Sequence, residues 1–174
     1  MKRLIVIDTN VVLSALQSKN GKSFALISKI GGVFFDFAIS VPLVLEYEAI
    51  LKNHLDRNIF TDSDIEDFID YICNVGIRTK IFYLWRPYLR DPFDDHVLEL
   101  AINAGAEMIV TFNKKDFLEA ETLGIKVKSP KEFLEEMIAP ALYSMFVTPK
   151  DVDETVKRLS FTISEGLNMA FASE

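Results

Sequence analysis

Apolar residues fall into two kinds of run along the chain, and their alternation predicts the architecture. Leu4-Ile5-Val6-Ile7 is a continuous β-prone stretch ended by Asp8, the pattern of a strand buried on both faces of a parallel sheet. Met108-Ile109-Val110-Thr111 repeats it. Between them lie segments with helical spacing, over residues 11–16, 24–30, 43–51, 65–73, 97–104 and 133–138. Further strands are expected over 36–41, 79–83 and 125–127. Strands alternating with helices predict the α/β class, with a central, mainly parallel sheet.

Helix starts carry a recurring signal: a capping residue, often Pro at the first helical position, and an acid three residues after the cap. Thr61 to Asp64, Ser129 to Glu132 and Thr148 to Asp151 all show it. Beyond Ala139 the pattern changes, with Pro140, a short Met145-Phe146-Val147 run and a further capped helix over 149–159. The expected organisation is a domain over 1–138 and a C-terminal extension over 139–174. Val152, Val156 and Leu159 share one helical face, suited to docking on the same domain, on a second protomer or on a partner.

Composition narrows the function classes. A chain of 174 residues, 49% hydrophobic, can bury one substantial core. Its apolar runs fall far short of the roughly 20 residues a membrane span needs, so no transmembrane helix is expected. Lys2 and Arg3 precede an apolar run as in a signal peptide, but Asp8 stops the run after four residues. The segment reads as an opening strand of a cytoplasmic protein. Cys73 is the only cysteine, which excludes an intramolecular disulfide, and with His54 and His96 it makes a poor zinc set. A net charge of −7 argues against coating nucleic acid by bulk electrostatics. Residues 1–31 nevertheless carry five cations against one acid, a local +4 that leaves −11 for the rest and keeps a local basic patch open.

The acids are the candidate chemistry. In an open parallel sheet every strand's carboxyl end and every following helix's amino end share one rim, where ligands bind. Asp8 ends the first strand; Glu46 follows Pro42 early in its helix; Asp91 and Asp94 open another helix; Asn113 and Asp116 follow the Met108 strand. Carboxylates crowded on one rim hold their protons unless a cation neutralises them, and hard divalent cations with oxygen ligands, Mg²⁺ or Mn²⁺, meet that need. Such ions activate water against a phosphodiester without a nucleophilic side chain. Glu46 is preferred to Glu48, because residues two apart on a helix face different ways.

Each signal also has a plainer explanation. Asp91-Pro92-Phe93-Asp94 has the form of a capping box, and Asp8-Thr9-Asn10 could equally be a helix cap or a crevice residue. Glu46 alone would be a solvated helix residue, and Asn113 and Asp116 alone would be turn residues. His54 and His96 receive no role. Tyr83, Trp85, Tyr88 and Phe93, near Arg86 and Arg90, are expected to pack in the core, with stacking on unpaired bases the alternative. Lys114 and Lys115 fit either the RNA backbone or a solvated loop.

With the acids placed, the sequence resembles the PIN-domain family. The likeness rests on Val6-Ile7-Asp8-Thr9-Asn10, on Ser40-Val41-Pro42 leading to Glu46, on Asp91-Pro92-Phe93-Asp94, and on Ile109 through Phe117, and it spans about residues 3–138. It is similar to the VapC-like toxin components of toxin–antitoxin pairs. The resemblance implies a three-layer α/β/α fold, Mg²⁺- or Mn²⁺-dependent endoribonuclease activity, homodimers, and an antitoxin that enters the acidic groove. By position Asp8, Glu46 and Asp94 match the family's metal-binding acids and Asp91 a supporting one, while Thr9, Asn10 and Thr111 match small polar helpers. The chain departs at Asn113, where many relatives carry a fourth Asp; Asp116 three residues on is the alternative catalytic acid.

Two other functions compete. Haloacid-dehalogenase-like phosphatases also place an Asp nucleophile after the first strand, but they need a second Asp two residues on as general acid–base, where this chain has Asn10. A catalytically impaired PIN fold could instead bind RNA or protein.

Overall fold

The computed structural model describes residues 2–84 and 86–145, with side chains as far as 137. The chain divides into two units, Met1–Leu134 and Glu135–Glu174, and the fold described here is that of the first. The opening apolar run becomes β1 (Arg3–Ile7), in which Ile5, Val6 and Ile7 are buried on both faces. Asp8 ends it and α1 (Thr9–Gln17) follows, then α2 (Lys22–Ile27) and β2 (Phe35–Ile39). β2 stops before residue 41 because Ser40 turns the backbone into α3 (Val41–His54), with Pro42 in the first turn.

The Thr61–Asp64 box starts α4 (Asp62–Val75) as its spacing predicts: the Asp64 amide donates to Thr61 Oγ at 3.2 Å and the Thr61 amide to Asp64 Oδ2 at 2.7 Å. The next strand is the two-residue β3 (Ile77–Arg78), one of the departures from expectation. Residues 79–83 leave the sheet once the Thr79 amide has donated to the Ile39 carbonyl at 2.8 Å, and side chains of α5 (Asp95–Ala104) hold the excursion that follows. Asn103 Oδ1 accepts from the Phe82 amide at 3.1 Å, and Asp95 accepts from the Tyr88 and Leu89 amides at 3.2 and 2.8 Å.

β4 (Met108–Val110) is buried throughout. A 3₁₀ turn (Lys114–Phe117) and α6 (Leu118–Thr122), both too short for a periodic signal, lead to β5 (Lys126–Lys128). α7 (Pro130–Met145) starts at the Ser129–Glu132 box and runs across the boundary expected after residue 138. The Thr148–Asp151 box and the apolar face of Val152, Val156 and Leu159 lie outside the described residues.

All five strands are parallel, in the order β3-β2-β1-β4-β5, and helices cover the sheet as an α/β/α sandwich. β1 and β4 at its centre come from opposite ends of the unit. Among the described residues no helix is long and apolar enough to cross a membrane.

Candidate active site

The strand order makes a switch point. From β1 the chain builds outward through β2 and β3, then returns to lay β4 and β5 on the other side of β1. The crevice therefore opens at the carboxyl ends of β1 and β4, where the Asp8 amide donates to the Val110 carbonyl at 2.9 Å.

Asp8 occupies the cap position of α1 but its side chain makes no capping bond, which decides between the two sequence readings of it. Its Oδ2 instead accepts from the Thr111 hydroxyl at 2.5 Å and from Asn10 Nδ2 at 2.6 Å. Thr111 Oγ accepts in turn from Asn10 Nδ2 at 3.1 Å and from the Asn113 amide at 2.9 Å, and Asn10 Oδ1 accepts from the Phe112 amide at 3.2 Å. Burial raises the Asp8 pKa; the Thr111 hydrogen bond opposes that shift and the Glu46 charge adds to it.

Glu46 is placed by its neighbour. Tyr47 is fully buried and donates its hydroxyl to the Ile7 carbonyl, which pins the second turn of α3 against the end of β1. Glu46 Oε2 lies 2.8 Å from His96 Nε2, a charge contact rather than a well-directed hydrogen bond. His96 Nδ1 donates to the Phe93 carbonyl at 2.8 Å, which turns Nε2 toward the carboxylate. Burial pushes the Glu46 pKa up, but the His96 ring and the Thr9 hydroxyl outweigh it and the net shift is downward. Glu48 faces away and pairs with Lys52 at 2.6 Å.

The Asp91–Asp94 segment is not a capping box. Asp91 Oδ1 accepts from the Phe93 amide at 3.0 Å in a tight turn, and Asp94 at the cap of α5 makes no side-chain capping bond. Burial first, then the charges of Asp8, Asp91, Asp116 and Glu46, push the half-buried Asp94 carboxyl up to about 7. Asp94 thus feels the charge of each of the other four acids picked from the sequence. Asn113 Nδ2 donates to Asp116, whose charge in turn reaches Asp94.

The basic candidates are mostly engaged. Lys114 Nζ holds Glu132 at 2.9 Å, and Glu132 is lowered to about 2, first by the Ser129 amide and then by that lysine. Arg86 grips the buried Glu99 with two bonds of 3.1 and 3.0 Å. Arg90 and Lys115 are exposed. The expected core packing fails for Tyr83 and Phe93, which are exposed, while Tyr88 is half-buried with its hydroxyl 3.2 Å from Thr122 Oγ. Trp85 lies outside the described residues.

Sequence reasoning missed His96, Asp95 and Glu99. A signal existed for the last two: acids four apart on a helix whose Val97, Leu98, Leu100 and Ala101 are buried require internal partners. The donor chemistry of the crevice, carboxylate oxygens held at mutual repulsion, fits a hard divalent cation. Among the described residues no three acid, His or Cys side chains form a ready-made metal cage.

The PIN domain profile matches residues 4–115. No curated protein matches the sequence significantly. A structure of FitAB bound to an IR36 DNA fragment resembles this one with a TM-score of 0.52 at 16% identity, covering 72% of this chain and 94% of that chain. FitAcB from Neisseria gonorrhoeae does so with a TM-score of 0.53 at 14% identity, covering 73% and 98%. At those identities the likeness is one of fold, and the profile match, spanning more than half of the sequence, makes this chain a member of the PIN-domain family.

Proposed function

We propose that the protein is a metal-dependent endoribonuclease that hydrolyses RNA phosphodiester bonds with Mg²⁺ or Mn²⁺. The observation that carries this reading is the placing of Asp94, whose carboxyl is pushed up to about 7 by burial first and then by the charges of Asp8, Asp91, Asp116 and Glu46. Five acids cost free energy in such proximity, and a cation removes that cost.

Asp8, Glu46 and Asp94 would hold the cation, with Asp91 in support and Asp116 as the fourth acid. Bound there, the ion supplies an activated water and shields charge on the phosphate. Thr111 and Asn10 orient Asp8 by occupying one of its oxygens. His96 holds Glu46 in its ionised form. Asn10 donates to Asp8 and has no proton-shuttling capacity, so a phosphatase mechanism gains no support.

The resemblance in sequence further supports a toxin of a toxin–antitoxin pair, acting in the cytoplasm as a homodimer and held in check by an antitoxin protein. A second reading, an impaired module that binds RNA or protein, rests on Asn113 standing where many relatives carry a fourth Asp.

The deciding experiment is cleavage of a mixed pool of structured and single-stranded RNA by purified protein in Mn²⁺, Mg²⁺ or EDTA, beside Asp8→Asn and Asp94→Asn. Metal-dependent cutting lost in both folded variants supports the nuclease. No cutting by the wild type, or full activity in Asp8→Asn, overturns it.

A further inference from the structure

We infer that Phe93 and Phe112 are stacking platforms for unpaired bases beside the acidic crevice; this rests on the nuclease reading above.

Phe93 is 87% exposed and Phe112 is 53% exposed, whereas phenylalanine is among the residues most often buried. Both are nevertheless fixed by the site itself. The Phe93 amide donates to Asp91 and its carbonyl accepts from His96, so its main chain is held from both sides between Asp91 and Asp94. The Phe112 amide donates to Asn10, the residue that also donates to Asp8, and Phe112 directly follows Thr111. Two bare aromatic rings are thus carried by the same hydrogen bonds that aim the acids.

The charge balance of the rim explains why rings would be needed. Asp8, Glu46, Asp91, Asp94 and Asp116 repel phosphate, and Lys114 and Arg86 are held by Glu132 and Glu99. Among the described residues beside these acids, Lys115 and Arg90 are exposed cations, in a chain of net charge −7. Base stacking on an aromatic ring is indifferent to that balance, and it demands bases that are not already paired.

The test uses the full chain carrying Asp8→Asn, so that RNA is bound without being cut, with Mg²⁺ present. Its probe is a single-stranded oligoribonucleotide containing 2-aminopurine, whose fluorescence is quenched when the base stacks. Phe93→Ala and Phe112→Ala are each expected to weaken binding about tenfold and to relieve the quenching, while Phe93→Trp preserves both. The salt dependence should stay shallow, with a slope of about one to two on logarithmic axes. In the active background the same alanine variants should raise KM on single strands and leave kcat within about twofold. Equal affinity and quenching in all variants would overturn the stacking role and turn the two rings over to a protein partner. That result with cleavage intact sinks this inference alone; a wild type that neither cuts nor binds RNA sinks the nuclease reading with it.

Discussion

Thr111 and Asp8 end adjacent parallel strands, and the threonine hydroxyl donates to the aspartate at 2.5 Å across a sequence separation of 103 residues. The bond satisfies a carboxylate that is 4% exposed and fixes which of its oxygens remains for other work. Thr111→Val keeps the shape but leaves Asp8 Oδ2 with Asn10 alone and the Asn113 amide without its acceptor, at a cost of about 1–3 kcal/mol. Metal-dependent RNA cleavage should fall by roughly 10- to 100-fold, since about 1.4 kcal/mol lost from a positioned group is tenfold in rate. Thr111→Ser should restore most of both. Cleavage assays and thermal melts of the two variants check this, and an unimpaired valine variant would remove Thr111 from the site.

Asp94 sets a pH dependence whose direction is fixed by its raised pKa. The folded protein keeps the proton up to about 7, against an ordinary value of 3.8. Its contribution to stability is therefore complete below pH 4 and is lost as pH climbs through 7. Asp94→Asn should melt about 3 °C higher than the wild type at pH 8 without metal, on the order of 1 kcal/mol once solvent screening at a half-exposed site is allowed for. The gap should vanish near pH 3.5. Mn²⁺ should close it at pH 8 by stabilising only the wild type, and Mn²⁺ binding measured by calorimetry should release protons near pH 7.

The acids could be placed from sequence because one rule of parallel sheets sends strand ends and helix starts to a common rim, so Asp8, Glu46, Asp94 and Asp116 needed only correct element types. The chain between β3 and α5 resisted the same reasoning. Thr79 to Tyr83 has strand-like residues, yet past Thr79, whose amide still reaches Ile39 of β2, the Phe82 amide finds its partner on Asn103, at a separation that leaves no local pattern. His96 was passed over for a related reason: its use depends on the crossing of α3 and α5, which puts it 2.8 Å from Glu46. The plainer reading of Asp91 to Asp94 as a capping box put the helix start at Asp91, whereas the helix begins at Asp95 and Asp94 holds the cap position without a side-chain capping bond.

Asp95 is fully buried and receives the amides of Tyr88 and Leu89, so it ties the excursion after β3 to α5. Asp95→Ala strands both donors and should cost about 2–4 kcal/mol, with a melting temperature lowered by roughly 10 °C. Asp95→Asn retains an acceptor and should lose about half as much. Denaturant melts decide, and an alanine variant within 0.5 kcal/mol or so of the wild type would show that the loop is held elsewhere.

His96 loses its contribution in the same direction of pH as Asp94, but from a different cause. Its own burial disfavours the charged ring, but Glu46 beside it outweighs that and raises the pKa. Its stabilising contribution is present below pH 6.5 and is lost as pH rises through the folded value. His96→Ala should therefore lower the metal-free melting temperature more at pH 6 than at pH 9, by about 1 kcal/mol or less. A pH-independent loss would mean that the ring matters only as packing.

The central pair of strands, one from each end of the unit, has a consequence for synthesis on the ribosome. A nascent chain that has emerged only as far as α4 already exposes Asp8 and Glu46, yet it lacks the strand whose terminal hydroxyl aims Asp8. Asp94 and Asp116 are also still to be made at that stage. The acidic crevice can form only once β4 lies beside β1, so whatever chemistry it performs is withheld from translation products that end before β4.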